Sequence, residues 1–171
     1  MSIMYAEEQA GYLAGYAAVT EGYKNLGFMG GIAVPAVIRY GYGFIQGADA
    51  AAKDMGLKAG DIKMKYTYVG NFDASPENNA KAAAWYNEGT ECIFACGGGV
   101  GNSVMKAAET ADKVVIGVDV DQSVESATVI TSAMKNLGDS IYGALEDSHP
   151  ASFQGGQTVT RDASPDGLNL P

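Results

Sequence analysis

Three ionisable side chains stand where strands should end. In VVIGVDVDQSVESATVITSAMKN, residues 114–136, Asp119 closes an apolar, β-branched run and Asp121 follows two positions later. Lys135 comes soon after a second short strand. A carboxylate only accepts hydrogen bonds, and its two oxygens suit a pair of vicinal hydroxyls. An acid at a strand end holds a ribose in this way. If the strand continues, Asp119 and Asp121 point to the same side. Other uses stay open: a turn or helix cap for Asp121, a magnesium site built from the pair, or acid–base hydrolysis by two carboxylates. If Thr131 or Ser132 caps the last helix, Lys135 lies in its first turn, where a cation opposes the helix dipole. It then either pairs with Asp139 one turn on or reaches into a cleft to donate to a sugar hydroxyl.

The second feature is CGGGVGN, residues 96–102. Glycines let the backbone approach a ligand and aim N–H groups at it from a helix N-terminus. Gly98 and Gly99 are the candidates for such contacts. A dinucleotide reading has the right layout, with an acid about 20 residues on. Its spacing fails, because Gly97, Gly99 and Gly101 alternate and Asn102 stands where a third fingerprint glycine belongs. A glycine-rich structural turn and contact with another ligand are the remaining readings. Phe94, in the preceding strand, is either core or a ring that stacks on a flat base; Phe72 in GNFD is a second candidate.

No GxSxG, HExxH or Cys–His pairing is present, so an enzyme reading has no activated nucleophile and the expectation is a non-catalytic protein without cofactor or metal. Cys92 and Cys96 fall four apart on a strand, about 13 Å, beyond the roughly 7 Å that a disulfide tolerates. They read as small buried residues, and the single histidine, His149, is remote from both.

The elements that must position these groups follow from pattern. Glu7 to Thr20 reads as a small-residue helix, and Leu26 to Gly30 as a strand. Pro35 opens a helix to about Asp54, with Ile38, Tyr42, Ile45 and Ala52 near one face. A strand follows at Ile62 to Val69. Ser75 caps a helix that has Pro76 at its first position and runs to about Glu88. Next come a strand from Glu91 to Cys96, a helix to about Ala111, and strands at Val114 to Val118 and Thr128 to Ile130. Ser132 to Asp147 reads as the last helix, with Met134, Leu137, Ile141 and Leu145 on one side. Gln157 to Thr160 suits a strand and DASPDGLNLP a loop. Alternation of this kind predicts an α/β three-layer sandwich: a mainly parallel sheet between helices, with right-handed crossovers. Ligands bind such sheets at the carboxyl ends of strands. The turns at 30–31, 70–73, 97–99 and 119–122 should therefore gather along one edge. The expected organisation is one lobe, residues 1–151, and a strand-and-loop tail, 152–171.

The chain of 171 residues carries a formal charge of −9. Without clustered Lys and Arg it lacks the means to displace counterions from a phosphate backbone, which excludes nucleic-acid binding. No apolar run reaches the roughly 18–20 residues of a membrane helix. The opening MSIMYAEEQ shows neither a basic nor an apolar leader region, so expression as written would leave the chain cytoplasmic.

Taken in order, EEQAGYLAGYAAV, LGFMGGIAVPAVIRYGYGFIQG, YVGNFDASPENNAKAAAWYNEGTECIFACGGGVGN and VVIGVDVDQ followed by VITSAMKN resemble the basic membrane protein family, the substrate-binding components of ABC transporters that include purine nucleoside receptor lipoproteins. The resemblance implies a type I periplasmic-binding fold, two α/β lobes closing on a nucleoside. It covers the second lobe alone. It implies that Asp119 and Lys135 hold the ribose, helped by backbone at Gly98 and Gly99, with Phe94 as this lobe's ring against a purine base. It also implies a transporter permease as partner and an extracytoplasmic, membrane-anchored location. A lone lobe is expected to form a homodimer or to pair with a separately made N-terminal lobe. The alternative is an NAD(P)- or nucleotide-dependent enzyme using the GGGVG turn.

Overall fold

The computed structural model describes residues 1–147, 155–163 and 167–171; His149 and the expected boundary at 151–152 fall outside them. The chain runs β1 (Ser2–Tyr5), α1 (Glu7–Thr20), β2 (Asn25–Gly30), α2 (Pro35–Asp54), β3 (Lys63–Tyr68), α3 (Pro76–Asn87), β4 (Cys92–Cys96), α4 (Gly99–Ala111), β5 (Val114–Asp119), β6 (Val129–Lys135), α5 (Leu137–Asp147), β7 (Thr158–Arg161) and β8 (Leu168–Asn169). The main sheet has the order β3-β2-β4-β5-β6-β8. Its first five strands are parallel and β8 is antiparallel to β6.

Helices cover both faces. Phe28, Phe94, Ile116 and Ala133 pack under α1 and α2, whereas Met29, Ile93, Ala95 and Val115 pack under α3 and α4. This is the strand period of two, read out in a sheet buried on both sides. The strand order reverses between β2 and β4, since β3 lies on one flank of β2 and β4 on the other. A crevice opens at such a reversal, beyond the carboxyl ends of the strands.

The buried residues of α2 include Val37, Tyr40, Phe44, Ala48 and Ala51, and the Tyr40 and Phe44 rings lie on Phe94 of the sheet. Ile38, Tyr42 and Ile45, expected to share an apolar face, are exposed. The buried stripe is displaced because glycines, not large side chains, line the helix contact. Gly11 and Gly15 of α1 lie on the backbone of Tyr40 and Phe44; Gly43 and Gly47 of α2 lie on that of Glu8 and Tyr12.

Three elements differ from expectation. Ser132–Lys135, expected to start the last helix, continues β6, because Gly117, Val118 and Asp119 pair with Ser132, Ala133 and Met134. The helix begins only at Leu137; the Asn136 carboxamide oxygen accepts the Asp139 amide at 3.3 Å. Leu137, Ile141 and Leu145 of α5 are exposed. Within the expected loop, Leu168 and Asn169 pair with Lys135 and Met134. β1 had no sequence signal. It pairs in parallel with β7, from Ser2 with Thr158 to Tyr5 with Arg161, in a separate two-stranded sheet.

Candidate functional site

The turns after β2, β3, β4 and β5 meet at the crevice. The Gly31 amide donates to Cys96 O at 2.9 Å, the Gly70 amide to Gly31 O at 3.1 Å and the Gly99 amide to Phe72 O at 2.9 Å. A hollow of about 250 Å³ opens there, walled by Ala36, Val37, Tyr40, Phe72, the Cys96–Gly98 backbone, Val118, Asp119 and Lys135. Phe72 reaches it because Gly31 has no side chain, and a Cβ there would overlap the Phe72 ring. Gly98 stands at a backbone φ of +54°, a conformation that favours glycine.

Asp119 and Lys135 end neighbouring strands, and their charged groups meet at the hollow with Nζ 3.0 Å from Oδ1. Asp119 has a φ of +68°, uncommon for a residue with a Cβ. That turn ends the strand and leaves the carboxylate 49% exposed. Lys135 is 14% exposed and also lies 3.4 Å from Oε1 of Glu7. The rings of Tyr5 and Tyr40 flank the ammonium, their centroids 5.5 and 5.2 Å away. Burial works against the ammonium's charge, yet the Asp119 and Glu7 carboxylates outweigh it and hold Lys135 above the usual lysine range. The Tyr40 hydroxyl lies 3.2 Å from Ala133 O and 3.4 Å from Asp119 Oδ1. Burial first, and then the Asp119 charge, push this phenol far above the tyrosine range. Tyr40 is therefore a permanent donor.

The other expected site residues part company. Phe94 is fully buried, with ring centroids 5.5, 5.8 and 5.2 Å from those of Phe28, Tyr40 and Phe44. It is the middle residue of β4, under two helices, and offers no face to a base. Phe72, 39% exposed on the hollow's rim, is the available ring. Asp121 does not follow Asp119 into the hollow; beyond the strand its Oδ1 accepts the Ser123 amide at 2.9 Å, and that bond holds its carboxyl below the usual range. Gly98 lines the hollow, but the Gly99 amide is committed to Phe72 O. The next two amides, Val100 and Gly101, donate to Gly97 O and Gly98 O, so the opening amides of α4 are engaged within the chain.

Sequence reasoning missed Glu7, Arg39 and Tyr40. Glu7 is a first-turn carboxylate, a placement that any helix N-terminus favours, so nothing local marked it for the site. Arg39 Nε and Nη2 both lie 2.6 Å from Glu7 Oε2.

With the geometry in place, comparison with known proteins gives a consistent result. The profile described as Bmp, "ABC transporter substrate-binding protein PnrA-like", matches residues 1–171. The chain belongs to the Bmp family. Among its members, the ABC transporter nucleoside-binding protein BmpA of Lactococcus lactis is 31% identical over 188 residues, covering 99% of this chain and 52% of BmpA. Basic membrane protein D of Borreliella burgdorferi is 31% identical over 175 residues, covering 99% of this chain and 49% of that protein. An ABC transporter solute-binding protein from Aeropyrum pernix superposes with a TM-score of 0.85 at 23% identity, over 99% of this chain and 49% of that one. The chain spans about half the length of the Bmp relatives it matches. Bmp proteins are substrate-binding components of ABC transporters, and the mainly parallel α/β sandwich is the type I binding-protein architecture. No described helix is long and apolar enough to cross a membrane.

Proposed function

We propose that this chain is a solute-binding lobe of an ABC-transporter nucleoside receptor, with Asp119 and Lys135 gripping the ribose. The observation that carries the reading is the 3.0 Å Asp119–Lys135 pair at the mouth of a hollow at the sheet's carboxyl edge. Asp119 accepts from a vicinal diol, one Lys135 N–H donates to it, the Gly98 backbone lies alongside, and Phe72 stacks on a purine. The neighbouring permease and an extracytoplasmic site of action belong to the same reading.

One lobe is one wall. An enclosed site buries 70–90% or more of a small ligand. At about −0.3 kcal/mol per non-hydrogen atom, half-engagement of a nucleoside gives roughly −3 kcal/mol, weaker than about 1 mM. The isolated chain should therefore answer inosine, adenosine and guanosine only at millimolar concentration. In NMR titrations the moving amides should be those of Phe72, Gly98, Asp119 and Lys135, and Asp119→Ala should silence them. Micromolar binding by a proven monomer, or a response that Asp119→Ala leaves intact, would overturn the reading. A second lobe supplies the opposite wall, and self-pairing is one way to bring it there. Light scattering should show association at high concentration, and a clean monomer would count against self-pairing.

A further inference from the structure

Glu7 takes no part in the hollow's wall, yet it is a carboxylate only 4% exposed. A buried carboxylate is tolerated only when paired and hydrogen-bonded. Its two oxygens are divided between two elements: Arg39 of α2 holds Oε2 at 2.6 Å through two nitrogens, and Lys135 of β6 lies 3.4 Å from Oε1. Lys135 in turn stands closer to Asp119, at 3.0 Å. Charges thus alternate along Arg39, Glu7, Lys135 and Asp119, from the groove behind the hollow to its mouth.

The asymmetry of these distances has a physical meaning. The lysine stem is long and flexible, and Asp119, half in water, cannot hold the ammonium alone because exposed pairs are screened and weak. A second carboxylate behind the ammonium fixes it. Were that carboxylate free, it would draw Lys135 back from the hollow. Arg39 engages it on the far oxygen and limits that pull. The ammonium has three donors; Asp119 and Glu7 each take one, leaving the third for a ligand.

We propose that Glu7, itself set by Arg39, is the positioning residue that holds Lys135 at one distance from Asp119, and so determines the preference for a ligand with a vicinal diol. This rests on the nucleoside reading above, and the test separates the two. In the full chain with isotope-labelled lysine, NMR follows the Lys135 ε-methylene and ammonium without any ligand. Glu7→Gln should merge the two ε-methylene proton signals and lower the ammonium's titration midpoint. In parallel, titration with inosine and its 2′,3′-dideoxy counterpart reads the diol. Glu7→Gln should weaken inosine about fivefold, the size of one loosened hydrogen bond, and leave the dideoxy analogue unchanged. Glu7→Asp, which keeps the charge, should recover part of both effects, and it serves alone if Glu7→Gln does not fold. An unchanged Lys135 signal, or equal weakening of both ligands, would overturn the positioning role. If the wild type fails to distinguish inosine from the dideoxy form, the diol reading falls, and the ligand-free spectra still decide whether Glu7 fixes the ammonium.

Discussion

Gly43→Ala should be among the most damaging one-carbon changes in this chain, although alanine is the better helix former. Gly43 lies in the middle of α2, where α1 crosses it. A Cβ there would stand 2.7 Å from the Glu8 carbonyl carbon and 2.9 Å from its Cα, and closer still to the carbonyl oxygen. Carbon atoms prefer about 3.5–4.0 Å, so α1 must retreat by at least about 0.8 Å. Overpacking of this kind costs about 1–3 kcal/mol, against which the helix propensity of alanine returns about 1 kcal/mol. In addition, the retreat moves Glu8 and its neighbour Glu7, loosening Glu7 from Arg39 and Lys135. The first two effects net to about 0–2 kcal/mol; with the loosening of Glu7 added, the expected loss is about 1–2 kcal/mol, or roughly 2–8 °C in Tm for a chain of this size. Thermal unfolding followed by circular dichroism measures it. Gly138→Ala is the control: nothing lies within 4 Å of an added Cβ there, and it should stabilise or leave Tm unchanged. A Gly43→Ala protein as stable as the wild type would refute the close helix contact and the transmission to Glu7.

Asp119→Gly removes a Cβ from a positive-φ position, relieving about 1 kcal/mol of strain while sacrificing a half-exposed ion pair of smaller worth. Tm should hold or rise by about 1–2 °C as the nucleoside response disappears; a fall of more than about 5 °C would contradict this. Alkaline pH should destabilise the fold. The Tyr40 and Tyr86 phenols are pushed up, first by burial, and Lys135 is raised by carboxylates that outweigh its burial. All three keep their protons in the folded chain after the unfolded chain begins to lose them near pH 10. Their contribution is thus whole below about pH 10 and declines above it by up to about 1.4 kcal/mol per pH unit for each group. Urea midpoints at pH 9, 10 and 11 will show it, and an undiminished midpoint at pH 11 would sink the argument. Ser75→Ala deletes the hydroxyl that accepts the Asn78 amide at 3.1 Å. It should cost about 1 kcal/mol, and no change in chemical denaturation would remove Ser75 as the cap.

Local signals announced most of the sandwich. Pro35, Ser75 and Pro76 start helices where their backbone chemistry says they should, and the apolar run to Val118 is β5. The failures share a cause. β1 is four residues whose partner, β7, lies more than 150 positions away, so nothing local marks it. Ser132–Lys135 carries residues that suit a helix as well as a strand, and pairing with β5 decides for strand. Asp119 stood out because charge at the end of an apolar strand is conspicuous; Lys135 drew notice as a cation in an expected first helical turn, and it is the extension of β6 that puts it at a strand end beside Asp119. For Phe94 the residues left core and stacking ring both open; the ring role came from the resemblance, and burial under α1 and α2 decides for core. Glu7, Arg39 and Tyr40 join the site through packing of α1 on α2, which depends on glycines that leave no trace in an apolar pattern.

Among the described strands β3 is the outermost on its side of the sheet, and this has a bearing on handling. Lys63 and Lys65 project from this outermost strand, and Lys65 is tied to Glu88 and lies over the Trp85 ring at 5.9 Å. Another molecule laid along that flank would confront bulky cationic stems before its amides could zip up, a common safeguard against runaway polymerisation. Concentrated stocks should stay clear of ribbon-like aggregates, and replacing both lysines with threonine is the change expected to let them grow.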